Sequence, residues 1–130
     1  MGQRAIDGNV TFVVRSVDRS KTIANPGLPF MQTTARGTFL TAELTITNNG
    51  NQLQEFLASY QKLKINDTVY GADPAAAVWT LTFETFVSPG MTATAAVSFD
   101  VPADTPPGGM LELHGSSHSP GANVELLSPQ

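Results

Sequence analysis

From Met91 to Val101 the chain alternates. Met91, Ala93, Ala95, Val97, Phe99 and Val101 fall on one side, Thr92, Thr94, Ser98 and Asp100 on the other, and Ala96 suits either. A period of two marks a strand with one buried and one wetted face; a helix would instead bring residues three and four apart together. Pro89-Gly90 ahead of the run suits a type II turn, where Pro presets φ and Gly accepts a positive φ. Pro102 closes the run, since proline donates nothing to a ladder. The chain is expected to be antiparallel β.

The same pattern recurs elsewhere. Asn9 to Asp18 reads as the first strand, with Val10, Phe12 and Val14 on one face. Between Gly37 and Asn48, Leu40, Ala42, Leu44 and Ile46 alternate with Thr41, Glu43, Thr45 and Thr47, and Asn48-Asn49-Gly50-Asn51 ends the strand with residues that tolerate positive φ. Gln52 to Ser59 spaces Leu53, Phe56 and Leu57 as a short helical turn or folded loop would. Tyr60 to Asn66 puts Leu63 and Ile65 inward and Lys62 and Lys64 outward, and a short extended piece follows around Val69 and Tyr70. Pro74 ahead of three alanines opens one helical turn. Trp79, Leu81 and Phe83 form the inward set of another strand. Met110 to His114 and Ala122 to Leu127 complete the series, with Leu111, Leu113, Val124 and Leu126 inward. Seven to eight strands without a long helix predict an antiparallel sandwich of two sheets, in one domain spanning 1–130.

Composition narrows the function classes. There is no cysteine, which removes disulfides, thiolate metal sites and a cysteine nucleophile. Net charge is −4, and the 7 cations are scattered through the first half. Nucleic-acid binding needs clustered cations to displace phosphate counterions, so that class is discounted. No apolar run is long enough to span a bilayer, so no direct membrane insertion by this segment is expected. The N-terminus lacks the apolar core of a signal peptide, and Met1 set directly before a strand suggests an excised domain.

Arg19 to Arg36 reads as a connection longer than the usual structureless loop, and it carries the apolar cluster Leu28, Pro29, Phe30 and Met31. One reading has Leu28 or Phe30 capping the open end of the sandwich. In the other, a proline-stiffened loop presents Leu28, Phe30 and Met31 to a protein partner, since loops carry binding and aromatics anchor interfaces.

Catalytic signals are weak. His114 and His118 stand four apart, a spacing that suits one metal on a helix, yet Gly115 and two serines between them argue for a loop without a third nitrogen ligand. Ser116, Ser117 and Ser119 lie beside His118 without a nucleophile elbow. Asp67 and Asp73 offer oxygen ligands, but their spacing lacks the order of a calcium loop. Asp100 is expected to bond loop amides beside Pro102 and hold the strand end, and Trp79 to be core. No enzyme activity, metal or cofactor is expected.

The series Asp7-Gly8, Gly37-Thr38-Phe39-Leu40, Leu44 to Gly50, Gln61-Lys62-Leu63, Tyr70 with Asp73, Ser88-Pro89-Gly90, Phe99-Asp100-Val101-Pro102 and Leu111 to His114 resembles the DUF4352 family of bacterial extracytoplasmic domains. The likeness is to actinobacterial and mycobacterial members in particular. It covers roughly Asp7 to Leu127, and the family is related in fold to the secreted antigen MPT63. The resemblance implies an immunoglobulin-like β-sandwich, secreted or anchored to the cell envelope, and no established chemistry. The expected function is a non-enzymatic protein-interaction domain whose partner lies in or near the envelope. Alternatives are a carrier of a small apolar ligand between the sheets and, third, a metal- or calcium-dependent module.

Overall fold

Strand β1 (Gln3–Asp7) pairs with β2 (Val10–Asn25) through the turn at Gly8, whose φ of 60° favours glycine. The computed structural model describes residues 3–25, 27–79, 84–106, 108–116 and 119–126, the side chains of Pro29, Met31 and Trp79 excepted. The remaining strands are β3 (Leu28–Asn48), β4 (Gln54–Leu57), β5 (Lys62–Ile65), β6 (Thr68–Gly71), β7 (Glu84–Val87), β8 (Thr92–Val101), β9 (Met110–Leu113) and β10 (Ala122–Glu125). One helix, α1 (Pro74–Trp79), lies between β6 and β7. The first sheet has the order β1-β2-β3-β8 and the second β10-β9-β5-β6, while β4 and β7 form a separate pair. All pairings are antiparallel. The fold is an immunoglobulin-like antiparallel sandwich, with ten strands among the described residues where the sequence predicts seven to eight.

The core forms where the alternating residues of the two sheets face each other. Phe12, Leu40, Leu44, Val97 and Phe99 from the first sheet meet Leu63, Leu111, Leu113 and Val124 from the second, all buried. The ring of Phe12 packs on Phe56 of β4 at 5.9 Å between centroids. Ser88-Pro89-Gly90 makes the expected turn: Met91 N donates to Ser88 O at 3.0 Å and Gly90 takes φ 77°.

Several expectations need correction. Met91 sits just before β8 and is 59% exposed, so the inward row begins at Ala93. Gln52 to Ser59 is no helical turn, since β4 occupies most of it and only Ala58–Tyr60 coils. Trp79 closes α1 instead of opening a strand, and Leu81 and Phe83 lie outside the described residues. Asn48 works by its side chain and not by positive φ. Its wholly buried amide donates to Gln52 O and Val87 O and accepts from Gly50 N, satisfying three backbone groups at the sandwich rim.

The largest correction concerns Arg19 to Arg36, which is not a structureless loop. Strands β2 and β3 continue past the sheet and stay paired to the tip, matching Thr22 with Thr34, Ile23 with Thr33, Ala24 with Gln32 and Asn25 with Leu28. Threonine and β-branched residues on both sides favour this extension. The result is a two-stranded arm.

Candidate functional site

The root of the arm is a ladder interruption closed by side chains. Between Ser20 and Thr22 on β2 the register jumps from Phe39 to Thr34 on β3, leaving 35–38 without partners on β2, and of these only Thr38 pairs across to β8, with Val101. Backbone groups there need other partners. Asp100 on β8 supplies two of them: its carboxylate oxygens accept the amides of Arg36 at 2.8 Å and Gly37 at 3.0 Å. Lys21 supplies two more, its ammonium donating to the carbonyls of Arg36 and Gly37 at 3.2 and 2.9 Å. Arg19 donates to Pro106 O and Thr38 Oγ1 to Ser20 O. Asp100 thus holds amides of strand β3 at the arm root and not the loop amides the sequence suggests.

Glycine is required at the crossing. A Cβ on Gly37 would stand 2.0 Å from the carbonyl oxygen of Val101, so only a bare α-carbon lets β3 pass the end of β8. Helix α1 braces the same root from outside. Asp73 caps it, Oδ2 accepting the amide of Ala76 at 2.9 Å, and Ala76 packs with Ala35 and Phe39 into a small second core flanked by Ile23. Asp73, one of the two aspartates of the 67–73 segment, is thereby a helix cap.

Beyond that brace the arm is bare. Phe30 is 79% exposed and Leu28 43%, so neither caps the sandwich. Asn25 Oδ1 accepts Gly27 N at 2.9 Å and tightens the tip. Met31 lies on β3 between Phe30 and Gln32, its side chain outside the described residues. The three residues expected to meet a partner therefore share the outermost turn of a braced projection.

The histidine region builds a loop latch. Asp7, 3% exposed, accepts the amides of Gly115 at 2.8 Å and Gly121 at 3.2 Å, tying the β1–β2 turn to the segment after β9. His114 Nε2 lies 2.6 Å from Glu112 Oε1, and Nδ1 lies 3.2 Å from Ser119 O. Both ring nitrogens are thereby engaged by protein oxygens, and among the described residues neither has a serine hydroxyl as its partner. Ser119 Oγ instead donates to Ser116 O and accepts Ser116 N within the loop. Ser117 and His118 lie outside the described residues. Among the described residues no three His, Cys, Asp or Glu side chains group as metal ligands would.

Two features escaped the sequence reading. Gln61, wholly buried, donates to Leu57 O and His114 O and accepts His114 N at 2.7 Å, standing in for a ladder partner at the end of β9. A lone Gln before Lys62 carries no pattern that announces this. Glu55 and Glu84 lie diagonally on the outer face of the β4–β7 pair. The Glu55 carboxyl is raised above the ordinary 4.5, first by a hydrogen bond with Glu84, then by desolvation and by the Glu84 charge.

Among the described residues no helix is long and apolar enough to cross a membrane. The fold resembles that of the yjhA protein of Bacillus subtilis, at 18% identity and TM-score 0.65 over 88% of this chain and 81% of that one. It also resembles the lipoprotein-like ycdA protein of Bacillus subtilis subsp. subtilis str. 168, at 14% identity and TM-score 0.63 over 97% of this chain but 38% of that one. A third likeness is to MPT63, a secreted protein of Mycobacterium tuberculosis, at 14% identity and TM-score 0.54 over 88% and 87% of the two chains. At such identities these likenesses show the fold alone. No curated protein matches the chain. A family model described as a domain of unknown function covers residues 1–123, and the chain therefore belongs to the DUF4352 family.

Proposed function

We propose that this chain is a non-enzymatic interaction domain that works outside the cytoplasm, secreted or held at the cell envelope, and presents the tip of its β2–β3 arm to a protein partner. The observation that carries this reading is Phe30, 79% exposed at the end of an arm whose root is fixed by Asp100, Lys21 and α1. An exposed aromatic on a braced support loses little entropy on docking, and aromatics are the usual interface anchors. Support for the location comes from the secreted and lipoprotein-like neighbours of the same fold. The carrier alternative needs an internal cavity, whereas Phe12, Phe56, Leu63, Phe99 and Leu111 pack between the sheets at 0–2% exposure.

The test places a photo-crosslinking phenylalanine analogue at position 30, with position 69 on the second sheet as control, in cells producing the protein. A discrete protein adduct from position 30 alone supports the reading. Equal adducts from both positions, or none, contradict it. Protease added to intact cells tests the location: digestion supports an extracytoplasmic domain, and protection until lysis refutes it.

A further inference from the structure

The outer face of the second sheet carries a trough that the arm does not touch. Strand register sets two rows of side chains across it. One row runs Val69, Lys64, Met110, Glu125, and the next runs Gly71, Lys62, Glu112, Asn123, each residue opposite its neighbour on the adjoining strand. The alternate residues Leu63, Ile65, Leu111 and Val124 face the core, so these rows face solvent. A depression of about 540 Å³ lies over them, and a second of about 340 Å³ continues past Lys62 to Tyr60 and His114.

Lys62 and Glu112 stand directly opposite, the arrangement in which unlike charges pair across strands. They do not pair here. Glu112 turns to His114, at 2.6 Å, while the Lys62 ammonium reaches over Gly71, lying 3.8 Å from where a Cβ on that glycine would stand. Lys64, on the same face, has no carboxylate within ion-pair distance among the described residues either. Two lysines thus line one open trough, and neither is ion-paired with the Glu112 and Glu125 carboxylates that share the lining. Opposite them, Glu125 and Asn123 are exposed and offer acceptors and an amide.

This chemistry selects among ligands. A lipid tail needs an apolar lining, and here only Val69 and Met110 are apolar. A polyphosphate backbone would meet Glu112 and Glu125 beside the lysines, and a net charge of −4 behind them. A ligand with one anionic group and several hydroxyls meets neither objection. Its anion suits the ammoniums by charge-assisted bonds, and hydroxyls both donate to carboxylates and accept from amides. We propose that this trough binds an acidic saccharide, with its carboxylate or phosphate on Lys62 and Lys64 and its hydroxyls on Glu125 and Asn123.

The experiment is an NMR titration of the full chain with glucuronic acid, glucose 6-phosphate, glucose and sodium phosphate. The site predicts saturable shifts at Lys62, Lys64, Met110 and Asn123 with one or both acidic sugars. Glucose and inorganic phosphate alone should bind weaker by about tenfold or more, since each lacks one half of the contacts. Lys62→Met with Lys64→Met should abolish the shifts, and Lys64→Met alone, at an exposed position with no partner to lose, should weaken them while leaving Tm unchanged. Phe30→Ser should leave them intact, which separates this site from the arm. Four results would overturn the proposal: no saturable shift with either acidic sugar, equal binding of glucose, equal binding of phosphate alone, or shifts that survive the double variant. Preference for glucuronic acid over glucose 6-phosphate, or the reverse, would identify the anion.

Discussion

Asp100→Ala removes the only side chain that accepts the amides of Arg36 and Gly37 among the described residues, and its cost follows from the geometry. Hydrogen bonds to a charged group contribute about 1.5–3 kcal/mol each. The Arg36 amide is exposed and finds water when the carboxylate goes, so most of its loss is recovered. The Gly37 amide lies against the Val101 carbonyl region, half-buried, and recovers less. The expected net cost is about 2 kcal/mol. With an unfolding entropy of about 2.1 cal/mol/K per residue, a chain of 130 residues converts this to a fall of about 7 °C in Tm. Asp100→Asn keeps one acceptor oxygen and should lose about half as much. Thermal unfolding gives the magnitude, and amide hydrogen exchange locates it: exchange at Gly37 should accelerate in Asp100→Ala while exchange at Leu44 follows global stability alone. An unchanged Tm, or Gly37 exchange unaltered relative to Leu44, would refute the claim that this carboxylate fastens the arm.

Gly37→Ala should cost about 3 kcal/mol or more, because its Cβ would collide with a backbone carbonyl that cannot step aside; urea unfolding measures this. Asn48→Ala should cost about 3 kcal/mol by leaving the Gln52 and Val87 carbonyls and the Gly50 amide without a partner in a buried site, again read by urea unfolding. Phe30→Ser should change stability by less than about 0.5 kcal/mol, since the ring packs on little, while crosslinking through the neighbouring tip residue Leu28 should fall. Glu55 should titrate above the ordinary carboxylate value in an NMR pH series, and Glu84→Gln should bring it back toward 4.5. The sign follows from linkage: a carboxyl raised in the folded state binds its proton more tightly there, so its contribution is present below the unfolded value and is lost as pH rises through the folded one. Glu84→Gln should therefore flatten the loss of stability that sets in as pH rises above 4.5.

Local alternation made the sandwich legible. The run from Ala93 to Val101 and that from Leu40 to Ile46 announce their buried faces without knowledge of any neighbour. The arm was not legible for a physical reason. Pro26, Gly27 and Pro29 punctuate the middle of 19–36, and that punctuation outweighs the strand-forming Thr22, Ile23, Thr33 and Thr34 on either side. The apolar cluster at its tip could be read, but its exposure could not, because exposure depends on the paired strands carrying it clear of the sheet. Phe39 illustrates the same limit. It falls on the outer face of β3, where only the arrival of α1 makes burial possible. The trough was beyond reach for a related reason. Lys62 and Lys64 were legible as outward residues, yet their meeting with Met110, Glu112 and Glu125 depends on register between strands far apart in sequence.

The central claim is that Arg19 to Arg36 forms a paired, braced projection whose tip stands free of the sandwich. Backbone and side-chain NOEs on the isolated protein test it most directly. The structure predicts cross-strand contacts between Ile23 and Thr33 and between Ala24 and Gln32, with the Phe30 ring showing none to Leu40, Leu44 or Phe99. Absent cross-strand contacts, or a Phe30 ring seated against those core side chains, would contradict it.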